Sequence, residues 1–286
     1  MRANPLLRFF LLPAMAAVFI AEPAVAQLYG QSPVQAAPQT EVDLELVLAV
    51  DISRSMDYDE QALQRAGYVG AIRHPEVIAA IGSGMIGRIA VTYLEWAGPA
   101  TQLHVVGWTL VEDTQSAHAF ADAMAAAPIS RERHTSISTG LITAAGLLAA
   151  SPFAGLREVI DVSGDGPNNM GPPVLEARQT ALARGVTING LPIMLRPGGG
   201  FFNVHDLDVY YEHCVIGGPA AFLVSVESPD RFALAIRRKL VLEIAGRTPW
   251  IVPGPIPAAA TRVQGDYDCL IGEKLRRQRM QRMDWE

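Results

Sequence analysis

Residues 44–55 read LELVLAVDISRS. Positions 44–50 are apolar except for Glu45, and the run stops abruptly at Asp51. A short, nearly continuous apolar run ended by a polar loop is the pattern of a strand buried on both faces of a parallel sheet. Beyond it comes Asp51-Ile52-Ser53-Arg54-Ser55, a D-x-S-x-S motif. Alternation puts Asp51, Ser53 and Ser55 on one side of that loop, three oxygens turned towards a common point. In open α/β sheets ligands gather beyond the carboxyl ends of the strands, which is where this loop would sit.

Working outward, 58–81 has helical spacing broken at His74-Pro75, and 88–96 and 103–111 are β-rich runs separated by Gly98-Pro99, the spacing of a hairpin. Helices are expected over 114–126, 139–150 and 173–184, and short strands over 159–163 and 186–194. Residues 201–217 read as an irregular insertion, 221–226 as a last strand and 229–244 as the last long helix. This alternation predicts an α/β fold: a Rossmann-like open, mostly parallel sheet with helices on both faces. One domain over 41–250, with an insertion near 197–217, accounts for the core of the chain.

The ends carry different signals. Arg2 and Arg8 precede an apolar stretch over 9–20, and Ala24-Val25-Ala26 offers a small-x-small cleavage pattern, so 1–26 is expected to be a signal peptide. The stretch is short for a membrane span and contains Pro13, so no stable span is expected after cleavage. Residues 27–40 are rich in Gln, Pro, Ser and Ala, the composition of a disordered leader. The expected destination is the periplasm or the outside of the cell. The formal charge of −6 gives no general attraction to nucleic acid or anionic membrane. Basic residues do gather in the C-terminal extension, 251–286, at Lys274, Arg276, Arg277, Arg279 and Arg282. Cys214 and Cys269 are the two cysteines; they are compatible with one disulfide in an oxidising compartment or with two free thiols.

Two further loops carry chemistry. One reads His134-Thr135-Ser136-Ile137-Ser138-Thr139-Gly140, and the other reads Ser163-Gly164-Asp165-Gly166 directly after a short apolar strand. With the first motif they offer two carboxylates and several hydroxyls, a hard-oxygen set suited to Mg²⁺, with Mn²⁺ or Ca²⁺ as substitutes. The combination resembles the metal-ion-dependent adhesion site of von Willebrand A and integrin I domains: D-x-S-x-S, then a threonine loop, then a strand-borne D-G. On that resemblance Asp51, Ser53 and Ser55 match the first motif, Thr135 the threonine and Asp165 the second aspartate. The resemblance implies the von Willebrand A fold, a divalent cation, and a protein partner that presents Asp or Glu to it. It also implies that the serines and threonine contact the ion while the aspartates act partly through water, and that the last helix responds to the site. Segments such as RHTSIS, VIDVSGDGPNN and YYEHCVIGGPAAF are similar to a bacterial family of exported A-domain proteins with no assigned function. His134 departs from the glycine often found before the threonine in the wider group.

Other motifs lack their context. Gly82-Ser83-Gly84-Met85-Ile86-Gly87 fits G-x-G-x-x-G but follows a helix and leads into a strand, so it reads as a tight turn. Ser53 stands where an aspartyl-phosphate enzyme would place its second acid, and the His205–His213 region matches no metal spacing. The expectation is therefore a metal-dependent protein-binding module without a catalytic acid–base pair. The alternatives are a metal-assisted hydrolase using His134 and a structural domain with a vestigial site.

Overall fold

The computed structural model describes residues 39–195, 204–246 and 267–283. The expected signal peptide, nearly all of the leader, and the 251–266 part of the C-terminal extension lie outside the described residues. In chain order the elements are β1 (Thr40–Val42), β2 (Leu44–Asp51), α1 (Tyr58–Ile72), α2 (Pro75–Gly82), β3 (Ile89–Trp96), β4 (Gln102–Val111), α3 (Thr114–Ala126) and α4 (Ile137–Ala149). There follow β5 (Phe153–Gly155), β6 (Glu158–Gly164), α5 (Val174–Leu182), β7 (Thr187–Pro192), α6 (Leu207–Tyr210), α7 (Phe232–Ile244) and α8 (Ile271–Met283).

The apolar run becomes the centre of a five-stranded sheet of order β4-β3-β2-β6-β7. β2 pairs in parallel with β3 on one side and β6 on the other, β7 continues in parallel, and β4 closes the far side antiparallel to β3. Because side chains alternate along a strand, β2 feeds two cores. Leu44, Leu46, Leu48 and Val50 pack on one face with α1, α2, α3 and α7, and Val47 and Ala49 pack on the other with α4 and α5. Full burial of one such side chain stabilises by about 1.5–3 kcal/mol, so this strand anchors both layers. Strand order reverses direction at β2, which opens a crevice beyond the carboxyl ends of β2 and β6.

Local chemistry sets the boundaries. Asp57 and Glu60 form a capping box that starts α1, and Pro75 after His74 starts α2. α4 begins at Ile137, earlier than its apolar spacing suggests, because Ser136 caps it. The G-x-G-x-x-G segment is a turn: the Asp43 carboxylate accepts from the backbone of Ile86, Gly87 and Arg88.

The expected strand over 221–226 is corrected to an irregular segment beside β7. It makes isolated bridges at Leu223 and Val226, because Phe222 N–H is taken by the Asn189 side chain and Pro192 has no N–H to give. Residues 204–217 of the insertion are more ordered than the sequence suggests: α6 runs into a π-helical turn, Tyr211–Val215, with Tyr210, Tyr211 and Cys214 fully buried. Cys214 is disulfide-bonded to Cys269, 55 residues away, which settles the pairing and ties α8's segment to the domain. Closing a loop of that length stabilises by about 4 kcal/mol in the chain-entropy account. Among the described residues no helix is long and apolar enough to cross a membrane.

Candidate metal centre

Asp51 ends β2 and Asp165 follows β6, so two adjacent parallel strands deliver their carboxylates to the same crevice. Asp51 is wholly buried. Its Oδ1 accepts from Ser53 N–H at 2.7 Å, and its Oδ2 has no hydrogen-bond partner. The Ser53 and Ser55 hydroxyls share a hydrogen bond of 2.7 Å, and Ser55 Oγ donates to Asp165 Oδ1 at 2.6 Å. Four of the five expected residues are thus brought together by a continuous chain of short polar contacts.

Thr135 sits in the neighbouring loop, and among the described residues its hydroxyl is not hydrogen-bonded to the other four. The loop is fixed through its backbone instead. Thr135 N–H donates to Asn169 Oδ1 at 3.0 Å, and Asn169 N–H donates back to Thr135 O at 2.9 Å. Ser138 N–H donates to Asn168 Oδ1 at 3.0 Å, so two consecutive asparagines from the Asp165 loop hold the threonine loop. His134 has φ 70°, a left-handed conformation that favours glycine.

The first loop is gripped in the same manner. Gln64 Nε2 donates to Asp51 O at 2.9 Å, and Gln61 Nε2 to Ser53 O at 3.2 Å, both from the buried face of α1. From the far side Arg131 donates to the carbonyls of Met56 and Arg54, and the Ser53 and Glu132 backbones form a bridge. Gln61, Gln64, Asn168 and Asn169 escape a reading based on donor motifs. A signal was available for the glutamines, which lie three apart on a helix and so share a face.

The electrostatics of the pair are lopsided. Burial first, and then the nearby Asp165 carboxylate, push the Asp51 carboxyl well above the usual carboxylate range. Among the described residues no Lys or Arg forms an ion pair with Asp51. A divalent cation would reverse this balance, since it favours the ionised form of every carboxylate near it. The donor chemistry fits such an ion: all the converging atoms are oxygens, and one of them, Asp51 Oδ2, is buried and unpartnered. Among the described residues there is no cluster of three or more His, Cys, Asp or Glu, so a site here depends on hydroxyls.

Residues 41–248 match the family model described as Protein of unknown function (DUF1194). The chain belongs to this family. No curated protein matches the DUF1194 chain. Among solved structures it is similar to the pilus adhesin SpaC of Lactobacillus rhamnosus GG, with 14% identity and a TM-score of 0.55 over 72% of this chain and 31% of that one. It is also similar to mussel byssus proximal thread matrix protein 1 with a zinc-occupied MIDAS motif, at 16% identity and a TM-score of 0.53, over 73% of this chain and 49% of that one. A von Willebrand factor type A protein from Catenulispora acidiphila is 15% identical, with a TM-score of 0.52 over 71% of this chain and 43% of that one. The chain spans less than half of each of these structures. At such identities the likeness shows the fold, which is the von Willebrand A fold.

Proposed function

We propose that this DUF1194 chain is an exported protein-binding module that holds a divalent cation, Mg²⁺ in first place with Mn²⁺ or Ca²⁺ as substitutes, and uses it to engage an acidic residue of a protein partner. The observation that carries this reading is the wholly buried Asp51 carboxyl, unpartnered at Oδ2 and facing a second carboxylate across a set of hydroxyls. Ser53, Ser55 and Thr135 would contact the ion, and Asp51 and Asp165 would balance its charge. An ion held by few direct carboxylates stays electron-poor and attracts an incoming one. The Cys214–Cys269 disulfide supports an oxidising compartment, and hence export to the periplasm or beyond. The pilus adhesin and the mussel protein with its zinc-occupied MIDAS motif share this fold, which supports the reading.

The test is thermal unfolding in EDTA and then in excess Mg²⁺, Mn²⁺ or Ca²⁺. A ligand bound only by the native state adds about 2.7 kcal/mol at a hundred times its dissociation constant. A rise in midpoint that vanishes in Asp51→Ala is expected. No rise with any of the three cations would overturn the reading. With the ion loaded, capture of an exported acidic protein should be lost in EDTA and in Asp165→Ala.

A further inference from the structure

The π-helical turn of the insertion brings a residue to the metal centre that no motif suggests. Tyr211 is fully buried, and its hydroxyl has no hydrogen-bond partner among the described residues. The unpartnered Asp51 Oδ2 lies beside it. A Cβ placed on Gly164 would come 2.9 Å from the Tyr211 hydroxyl and 3.0 Å from Asp51 Oδ2, so the two oxygens flank the same bare α-carbon. A second glycine completes the slot on the next strand, since a Cβ on Gly190 would come 2.8 Å from Tyr211 Cδ1. The turn is anchored by the Cys214 disulfide, and the hydroxyl of its neighbour Tyr210 accepts from Asn168 N–H at 3.1 Å. One turn therefore reaches both the Asp51 loop and the loop that holds Thr135.

A phenylalanine would fill the same slot and avoid the cost of an unmet buried hydroxyl, about 1–3 kcal/mol. π-turns concentrate at functional positions, and groups that hydrogen-bond a metal's ligands fix their orientation. A phenolic hydroxyl carries its proton at neutral pH, and so is a donor. We propose that Tyr211 is a positioning residue of the metal centre, its hydroxyl donating to Asp51 Oδ2 when a cation is held. This rests on the metal-binding reading above.

The experiment is calorimetric titration of Mn²⁺ into the full chain, for the native protein, Tyr211→Phe and Tyr68→Phe, with unfolding midpoints in EDTA. Tyr68 also buries an unpartnered hydroxyl, on α1 beside Asp161 rather than Asp51, and serves as control. Tyr211→Phe should raise the dissociation constant about 10–100-fold, with an EDTA midpoint equal to or above the native one. Tyr68→Phe should leave the constant unchanged. In the native protein, tyrosine resonance Raman should report a new hydroxyl donor on adding Mn²⁺, a readout that stands even if a variant fails to fold. Native protein that binds neither Mn²⁺ nor, in the same titration, Mg²⁺ or Ca²⁺ overturns both readings. Native protein that binds, with an equal constant in Tyr211→Phe or no change in the tyrosine spectrum, overturns the role of Tyr211 alone.

Discussion

Strand β6 carries two buried acids into different surroundings, and the contrast explains what the chain builds for stability and what it leaves for a ligand. Asp161, in the middle of the strand, meets Lys239 of α7, whose ammonium lies 2.5 Å from Asp161 Oδ1, an ion pair rather than an aligned hydrogen bond. Lys239 also pairs with Glu243 one turn on, and Asn189 Nδ2 donates to the same Glu243 oxygen at 3.0 Å. All four residues are almost wholly buried. Asp165, just past the strand's end, stands near Asp51, whose carboxyl accepts a backbone N–H from Ser53 and, among the described residues, forms no ion pair with a Lys or Arg. Where the charge is structural the chain contributes its own lysine. Where the site faces the crevice, the place of that lysine suits a dissolved ion.

The largest expected effect separates the two clusters directly. Lys239→Met leaves Asp161 buried without a cation and should destabilise by about 3–5 kcal/mol, the usual cost of breaking a buried pair from one side. Asp51→Asn, nearly the same shape, should leave stability in EDTA within about 1 kcal/mol of the native protein or above it, because it removes an uncompensated buried carboxyl. Urea unfolding in EDTA measures both. Equal losses in the two variants would break the comparison, because Asp51 would then be as well compensated as Asp161.

A smaller effect sharpens the comparison through pH. Burial, and then the neighbouring Asp161 carboxylate, raise the Glu243 carboxyl to about 8 against the partial opposition of Lys239. The folded protein therefore holds a proton here that the unfolded chain releases near 4.5. That contribution is complete below about pH 4.5 and is lost as pH rises through about 8. Stability in EDTA should fall across this window as Glu243 gives up its proton. Glu243→Gln should flatten the fall while keeping the amide contact with Asn189. Asp51 and Glu95 are raised as well and slope the same way, so the variant reduces the dependence without abolishing it.

Much of this was legible in the sequence, for reasons that particular residues make clear. The 44–50 run located the central strand because period and composition are local properties, and the three oxygen motifs followed because each sits where a strand or helix meets a loop. The partners were not local. Gln64 reaches Asp51 across a helix, Asn169 reaches Thr135 from 34 residues away, and Lys239 crosses from α7 to β6. Asp161 did leave a trace: an acid between Ile160 and Val162 in a strand expected to be buried demands a cation, and periodicity cannot say which. The 221–226 segment misled because its apolar pattern suits a strand, while a side-chain acceptor on Asn189 and the missing N–H of Pro192 interrupt the ladder.

His134 tests the crevice end on the smallest scale. The wider group often has glycine before the threonine, and the backbone here shows why: φ is 70°, where a side chain is strained by about 1–2 kcal/mol. His134→Gly should relieve that strain, offset in part by the greater freedom of glycine in the unfolded chain, for a net gain of up to about 1 kcal/mol. The imidazole contributes no donor to the Asp51–Ser53–Ser55–Asp165 chain, so the cation-induced rise in midpoint should persist in the variant. A metal-assisted hydrolase would answer differently, because its turnover would disappear with the ring while the ion stayed bound. If instead the cation response itself is lost, the left-handed turn is held by the imidazole rather than merely tolerated, and the crevice is less independent of its rim than the buried Lys239 cluster is of solvent.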